Sequence, residues 1–332
     1  MIYQKIFSVL GHEKAEATLA HSIVSGKIFP TWIFQGPFGV GKSTMAHRFA
    51  KCLLSDTIPS GASLDISPEN PIHKLIKLRT HPDFFILEQR EDSVSIDETR
   101  ELLHKIHKTP TLSKWKVLIL ENAANLNKNI YNSLLKILEE PPKNTVIVMI
   151  CDNTGHIPKT LLSRAAKLRF GAIDTHLVEK TLESVGIEPA KKIAALSGGS
   201  IGAAMYIHQH NGVAAFDHLL AAFDCLSGTD NQKKHLKYLL DNKLCENFFI
   251  IKKSITYILK IYVDIISDNI DNEYSDVVNI LKNLRCRMPG SLETEIKKVM
   301  EIIFMLNNGE HLMLDKNSLL LQVFEKFFPA EW

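Results

Sequence analysis

The chain has 332 residues, with 39 lysines and arginines against 37 acidic residues, a formal net charge of +2, 45% hydrophobic residues and 23% charged ones. This length suits two or three domains, and the composition excludes a disordered or fibrous protein. Near-neutrality excludes a global field that gathers nucleic acid or anionic lipid, so any such contact must be a local patch. Five cysteines, Cys52, Cys151, Cys225, Cys245 and Cys286, form no close pair. Neither a disulfide framework nor a CxxC metal site is indicated, which points to a reducing compartment. The opening residues MIYQKIFSVLGHEKAE lack the apolar core of a signal peptide, so a cytoplasmic protein is expected.

In chain order, short apolar runs at Trp32 to Phe34, Phe84 to Leu87, Val117 to Leu120, Val146 to Ile150 and Lys167 to Phe170 read as strands. They alternate with helical patterns near Ser43 to Leu54, Asp97 to His107 and Asn127 to Leu138. Such alternation predicts a mainly parallel sheet with helices on both faces. The stretch Ser55 to Pro71 is rich in Ser, Pro and Asp, lacks periodicity, and reads as a surface loop. Asp174 to His208 is divided by Gly186, Pro189 and the Gly198-Gly199 pair into about three short helices of a small lid, with hinges at Gly171 and Gln209 to Gly212. From about Phe216 to Phe328 long, nearly proline-free helical periodicity takes over. Its most apolar stretch, Phe248 to Ser267, holds Lys252, Lys253, Lys260 and Asp264 and reads as a buried helix rather than a membrane span. The expected division is 1–171 for an α/β P-loop domain, 172–210 for the helical lid and 211–332 for an all-α domain.

The sharpest local signal is Gly36-Pro37-Phe38-Gly39-Val40-Gly41-Lys42-Ser43-Thr44, which satisfies G-x-x-x-x-G-K-[ST] between a predicted strand and a predicted helix. Glycines let backbone amides close around phosphate oxygens, and the helix N-terminus adds positive potential. Lys42 is then placed for the β/γ phosphates of ATP, Ser43 for Mg²⁺, and Thr44 for a further phosphate contact. The strand Val117 to Leu120 ends in Glu121-Asn122, where P-loop ATPases carry Asp-Glu. Glu121 is either a magnesium-site residue or one of two solvated polar residues after a buried strand. Asn122 has no ionisable group and cannot be a general base.

The segment Ile130 to Pro142 (IYNSLLKILEEPP) closely resembles the NALLKxLEEPP segment of DNA polymerase clamp-loader subunits. Pro158-Lys159-Thr160-Leu161-Leu162-Ser163-Arg164-Ala165 is similar to the family's P-x-T-[IL]-x-S-R-C segment, with Ala165 in place of the cysteine. The resemblance implies an AAA+ fold, a helical collar formed by 211–332, and a role for Arg164 on the ATP of a neighbouring subunit. Within the family the chain is similar to the delta-prime group of bacterial DNA polymerase III. Motor subunits carry a four-cysteine zinc module after the P-loop helix, whereas this region holds only Cys52, so no structural zinc is expected. Gly202 stands where motors carry a phosphate-sensing arginine. Asn153, or equally Asp152, sits near the family's polar sensor. The resemblance thus implies an ATP binder with weak or no hydrolysis, a non-polymerising subunit of a nucleotidyltransferase holoenzyme. Its implied partners are the gamma/tau and delta subunits, the sliding clamp and, indirectly or weakly, primed DNA, with no membrane. Lys105, Lys108, Lys114 and Lys116 form a modest basic cluster that reads as a solvated face. Two other readings stay open: a self-sufficient clamp-loader motor ATPase, and a P-loop small-molecule kinase, which the arginine-free lid disfavours.

Overall fold

The computed structural model describes residues 10–67, 69–88, 96–126, 128–155, 157–224, 247–267, 275–287 and 291–308, with 318, 322–323 and 325–326. Contacts divide the chain into two units, residues 1–181 with 199–202, and residues 182–198 with 203–332.

In the first unit the five predicted strands form one parallel sheet. They are β1 (Thr31–Gln35), β2 (Phe84–Glu88), β3 (Lys116–Glu121), β4 (Thr145–Cys151) and β5 (Ala166–Arg169). Their order is β2-β3-β4-β1-β5, so β4 lies between β1 and β3 and is buried along its whole length. A continuous apolar run is what a strand covered on both faces requires. Side chains alternate between the faces. Trp32 and Phe34 pack with α1 (Glu13–Val24) and α2 (Lys42–Leu54), while Ile33, Leu118 and Met149 pack with α5 (Lys128–Glu139) and the short α6 (Lys159–Leu162). The α/β expectation is met.

Besides the one-turn α6, two helices lie outside the predicted set. The first is α1, which carries no Ser, Thr or Asp at its N-cap to announce it; His12 stands there and makes no side-chain cap bond. The second is α3 (Pro71–Lys77), opened by Asn70, whose side chain accepts from the Ile72 amide at 3.0 Å, and by Pro71 in its first turn. The segment 55–71 is irregular, as its composition implies, yet it is pinned rather than loose. Leu64 is fully buried, its amide donates to Glu16 Oε1 at 2.7 Å, and Arg48 bridges Glu16 and Asp65, both at 2.7 Å. Cys52 is buried beneath it, with Sγ directed at Thr57 O and its thiol pushed up to about 11 by burial.

Of the four lysines read as a solvated face, Lys105, Lys108 and Lys114 are exposed and Lys116 is not. Lys116 is buried at the start of β3, and its ammonium donates to the carbonyls of Lys105, Ile106 and Lys108 at the end of α4 (Ile96–His107). Lys105 pairs with Glu101 at 2.7 Å and Lys114 with Asp56 at 2.5 Å.

Beside α4, the buried carboxylate of Asp83 accepts from the amides of Thr111, Leu112 and Ser113 at 2.7 to 2.9 Å. His81 Nδ1 accepts from the Asp83 amide at 3.1 Å, which leaves Nε2 to face Ser113 Oγ at 3.3 Å. Burial lowers the His81 pKa, with the Asp83 carboxylate opposing. Burial also works to raise the Asp83 carboxyl, but the three amide bonds hold it below its ordinary value. Both shifts act in the same direction on stability. The unfolded chain takes up a proton at His81 below about pH 6.5, where the folded chain resists it, and Asp83 adds a second loss at strongly acid pH. The urea midpoint should therefore fall as pH drops from 7.5 to 5.5, with a shallower fall in His81→Gln. An unchanged slope in that variant contradicts the assignment.

The described elements of the second unit are all helices. They are α8 (Ala190–Ser197), most of α9 (Ile201–Gln209), α10 (Gly212–Asp224), α11 (Phe248–Ile266), α12 (Ser275–Arg287) and α13 (Leu292–Asn308). With α7 (Thr175–Ser184), α8 and α9 make three short helices in the segment read as a lid, separated at Gly186, Pro189 and the left-handed pair Gly198 and Gly199. In α11 the periodic Ile251, Ile255, Ile258, Tyr262 and Ile265 are all buried. Among the described residues no helix is long and apolar enough to cross a membrane. The parts of the predicted helical region at 225–246, 268–274 and 288–290, and most of 309–332, lie outside the described residues.

Candidate functional site

Ligands of open parallel sheets bind beyond the carboxyl ends of the strands, and here β1, β3 and β4 deliver polar residues there. The phosphate loop leaves β1 at Gly36. A Cβ on Gly36 would stand 2.1 Å from Phe170 O, so only glycine fits beside β5. The loop enters α2 through Gly41, whose φ of 109° lies in the region that disfavours side chains.

Every carbonyl from Gly36 to Gly41 is taken by a protein donor. Lys42 Nζ donates to Gly36 O and, at 2.7 Å, to Pro37 O. Ser200 Oγ donates to Phe38 O at 2.8 Å, the Gly202 amide to Gly39 O at 2.9 Å, and His12 Nε2 to Val40 O at 2.9 Å. Gly41 O accepts from the Met45 amide at 2.9 Å. A trans peptide points its carbonyl and the following amide in opposite directions, so the donors outside the loop turn its amides the other way. Among the described residues the amides of Gly39, Val40 and Gly41 meet no protein acceptor. That arrangement is an anion-binding nest at a helix N-terminus.

Lys42 is buried, with its ammonium 2.8 Å from Asp152 Oδ1, immediately after β4. Asn153 is turned elsewhere: it is exposed, and its Oδ1 accepts from the Gly155 amide at 3.1 Å. Of the two sensor candidates, the structure brings Asp152 to Lys42. Ser43 Oγ donates to Glu121 Oε1 at 2.5 Å, joining the first turn of α2 to the end of β3. Thr44 follows in the same turn, half-buried. Next to this pair, His47 Nδ1 lies 2.8 Å from Ser43 O. Burial lowers the His47 pKa against the opposing effects of the Ser43 carbonyl and the Glu121 carboxylate. A neutral ring then donates Nδ1–H to Ser43 O. Asn122 is exposed and adopts a left-handed φ of 50°, a conformation Asn tolerates better than most residues.

Arg164 is not part of this cluster. It is exposed in the turn after α6, anchored through the buried Leu161, and among the described residues its guanidinium makes no hydrogen bond or ion pair. Gly202 touches the loop directly, since a Cβ there would stand 2.5 Å from Gly39 Cα. His12 and Ser200 lie outside any phosphate motif, and no local pattern marks them: their acceptors are 28 and 162 residues away.

Residues 11–174 match the family model described as "DNA polymerase III, delta subunit". Over this span, a little under half of the chain, the chain is similar to the clamp-loader subunits of DNA polymerase III. Among curated clamp-loader relatives, the delta' subunit of Pseudomonas aeruginosa is 33% identical over 183 residues, covering 53% of this chain and 55% of that protein. The gamma subunit of Buchnera aphidicola (Acyrthosiphon pisum) is 28% identical over 210 residues, covering 61% of this chain and 57% of that protein. The tau subunit of Escherichia coli is 26% identical over 183 residues, covering 55% of this chain and 28% of that protein. The chain thus spans little more than half the length of the first two relatives.

Proposed function

We propose that this chain is a delta-prime-like subunit of the DNA polymerase III clamp loader, one that binds Mg·ATP, hydrolyses it little, and helps place the sliding clamp on primed DNA. The observation that carries the reading is a complete phosphate cradle beside an incomplete hydrolytic set. The oriented loop amides and Lys42 suit phosphate. Ser43 and Glu121 supply the hard oxygen donors that Mg²⁺ takes, and the ion when bound neutralises phosphate charge. Glu121 is committed to Ser43, and the next residue, Asn122, cannot remove a proton from water. Loss of a general base typically lowers a rate about 10² to 10⁴-fold.

Similarity to delta', gamma and tau subunits supports assembly with other loader subunits, and in this reading residues 211–332 are the collar segment. Arg164 is assigned to the ATP of an adjacent gamma/tau subunit: it is exposed, without an ion-pair partner among the described residues, and separate from its own phosphate loop. Affinity purification of the tagged full chain from its own cells, with mass spectrometry, tests the assembly. Co-recovery of the other loader subunits is expected, and recovery of the chain without any of them contradicts it.

A further inference from the structure

The phosphate loop is shaped partly by a residue that precedes the sheet altogether. His12 is buried, its ring edge packs on Phe170 with centroids 4.9 Å apart, and its Nε2 lies 2.9 Å from Val40 O. The backbone holds it there from both sides. Gly11 takes a φ of 75° in a place where a Cβ would meet Ile173 Cγ2 at 2.6 Å, and the Glu16 amide donates to His12 O at 3.0 Å as α1 begins. Val40 O can only accept, so the proton sits on Nε2.

We propose that His12 is a positioning residue for the phosphate cradle: by donating Nε2–H to Val40 O, it sets the Val40–Gly41 peptide so that the Gly41 amide faces bound phosphate. The inference rests on the nucleotide reading of the loop given above, but the loop geometry it concerns is measurable without nucleotide. Two functions of the side chain are separable. Contact with Phe170 needs a ring, whereas control of the peptide needs a donor at the depth of Nε2. His12→Phe keeps the ring and deletes the donor. His12→Gln deletes the ring and keeps a donor, because the Gln Nε2 is as many bonds from Cα as the His Nε2.

The experiment is backbone amide exchange around the loop in the full chain, followed by Mg·ATP titration calorimetry. In His12→Phe, exchange at Gly202 and Met45, whose amides donate to the loop carbonyls of Gly39 and Gly41, should rise about tenfold while β3 and β4 are unchanged, and Mg·ATP affinity should fall about tenfold, the loss of one hydrogen bond's worth of ordering. His12→Gln should restore most of both. A His12→Phe loop exchanging like wild type overturns the proposal, as does a His12→Gln loop as loose as that of His12→Phe. Should His12→Phe fail to fold, His12→Gln alone decides, since a wild-type loop in that variant supports the donor role and a loosened one refutes it. A wild-type chain that binds no Mg·ATP removes the nucleotide reading, while the exchange result still decides the role of His12.

Discussion

Replacing Arg164 by Ala should lower DNA- and clamp-stimulated ATP hydrolysis in a reconstituted loader while leaving this chain's fold and its own ATP affinity nearly unchanged. The side chain is exposed, and among the described residues its guanidinium has no hydrogen-bond or ion-pair partner, so its removal takes nothing from the core. The adjoining backbone stays fixed, because Leu161 is buried and the Arg164 amide donates to Leu161 O at 3.1 Å. An arginine that stabilises charge on a transferring phosphoryl group contributes roughly 10³ to 10⁵ in rate at the site it serves. In the proposed role this arginine serves one of a loader's several sites, so total turnover should fall only in part. Arg164→Lys should not rescue it, since an ammonium lacks the planar fork that reaches two oxygens at once. With equal assembly confirmed, unchanged clamp loading and unchanged stimulated hydrolysis would make Arg164 an ordinary surface residue.

The second large effect is expected at Gly202, and it runs against a simple repair argument. Placing an arginine here would supply the phosphate-sensing residue that the resemblance assigns to motor subunits. In this chain the position is already filled by backbone. A Cβ on Gly202 would stand 2.5 Å from Gly39 Cα and 2.9 Å from Gly39 O, neither of which is a side-chain end that can swing aside. The contact also satisfies a first-turn amide of α9, which otherwise has no intrahelical partner. Gly202→Arg should therefore force the segment 199–202 off the loop, costing about 1–3 kcal/mol as overpacking does, and should weaken Mg·ATP binding. Urea unfolding and calorimetry on the same preparation check both. A variant of wild-type stability that gains hydrolysis shows that the close packing is dispensable.

Much of this was legible in the residues. Val146 to Ile150 reads as a buried strand because nothing polar interrupts it, and the phosphate loop is visible because its backbone demands glycine at defined places, as Gly36 and Gly41 show. Other parts were illegible for physical reasons. The start of α1 is hidden because His12, at its N-cap, spends its ring on Val40 rather than on the helix amides. Asp152 and Asn153 differ by one position after β4, and only the strand's exact end decides which reaches Lys42. Lys116 looks like a surface charge until its three carbonyl acceptors at the end of α4 are seen. Ser200 belongs to the lid by sequence and to the phosphate loop by contact.

The central claim is that this site binds nucleotide and is poor at cleaving it. A single-turnover experiment with γ-labelled Mg·ATP and excess isolated full chain reads both properties together, with Lys42→Ala as the blank. The account predicts that labelled ATP is retained by the wild-type chain, lost by Lys42→Ala, and converted to phosphate about 10² to 10⁴-fold more slowly than by the assembled loader. Conversion by the isolated chain at the loader's own rate, or no retention by the wild-type chain, would contradict it.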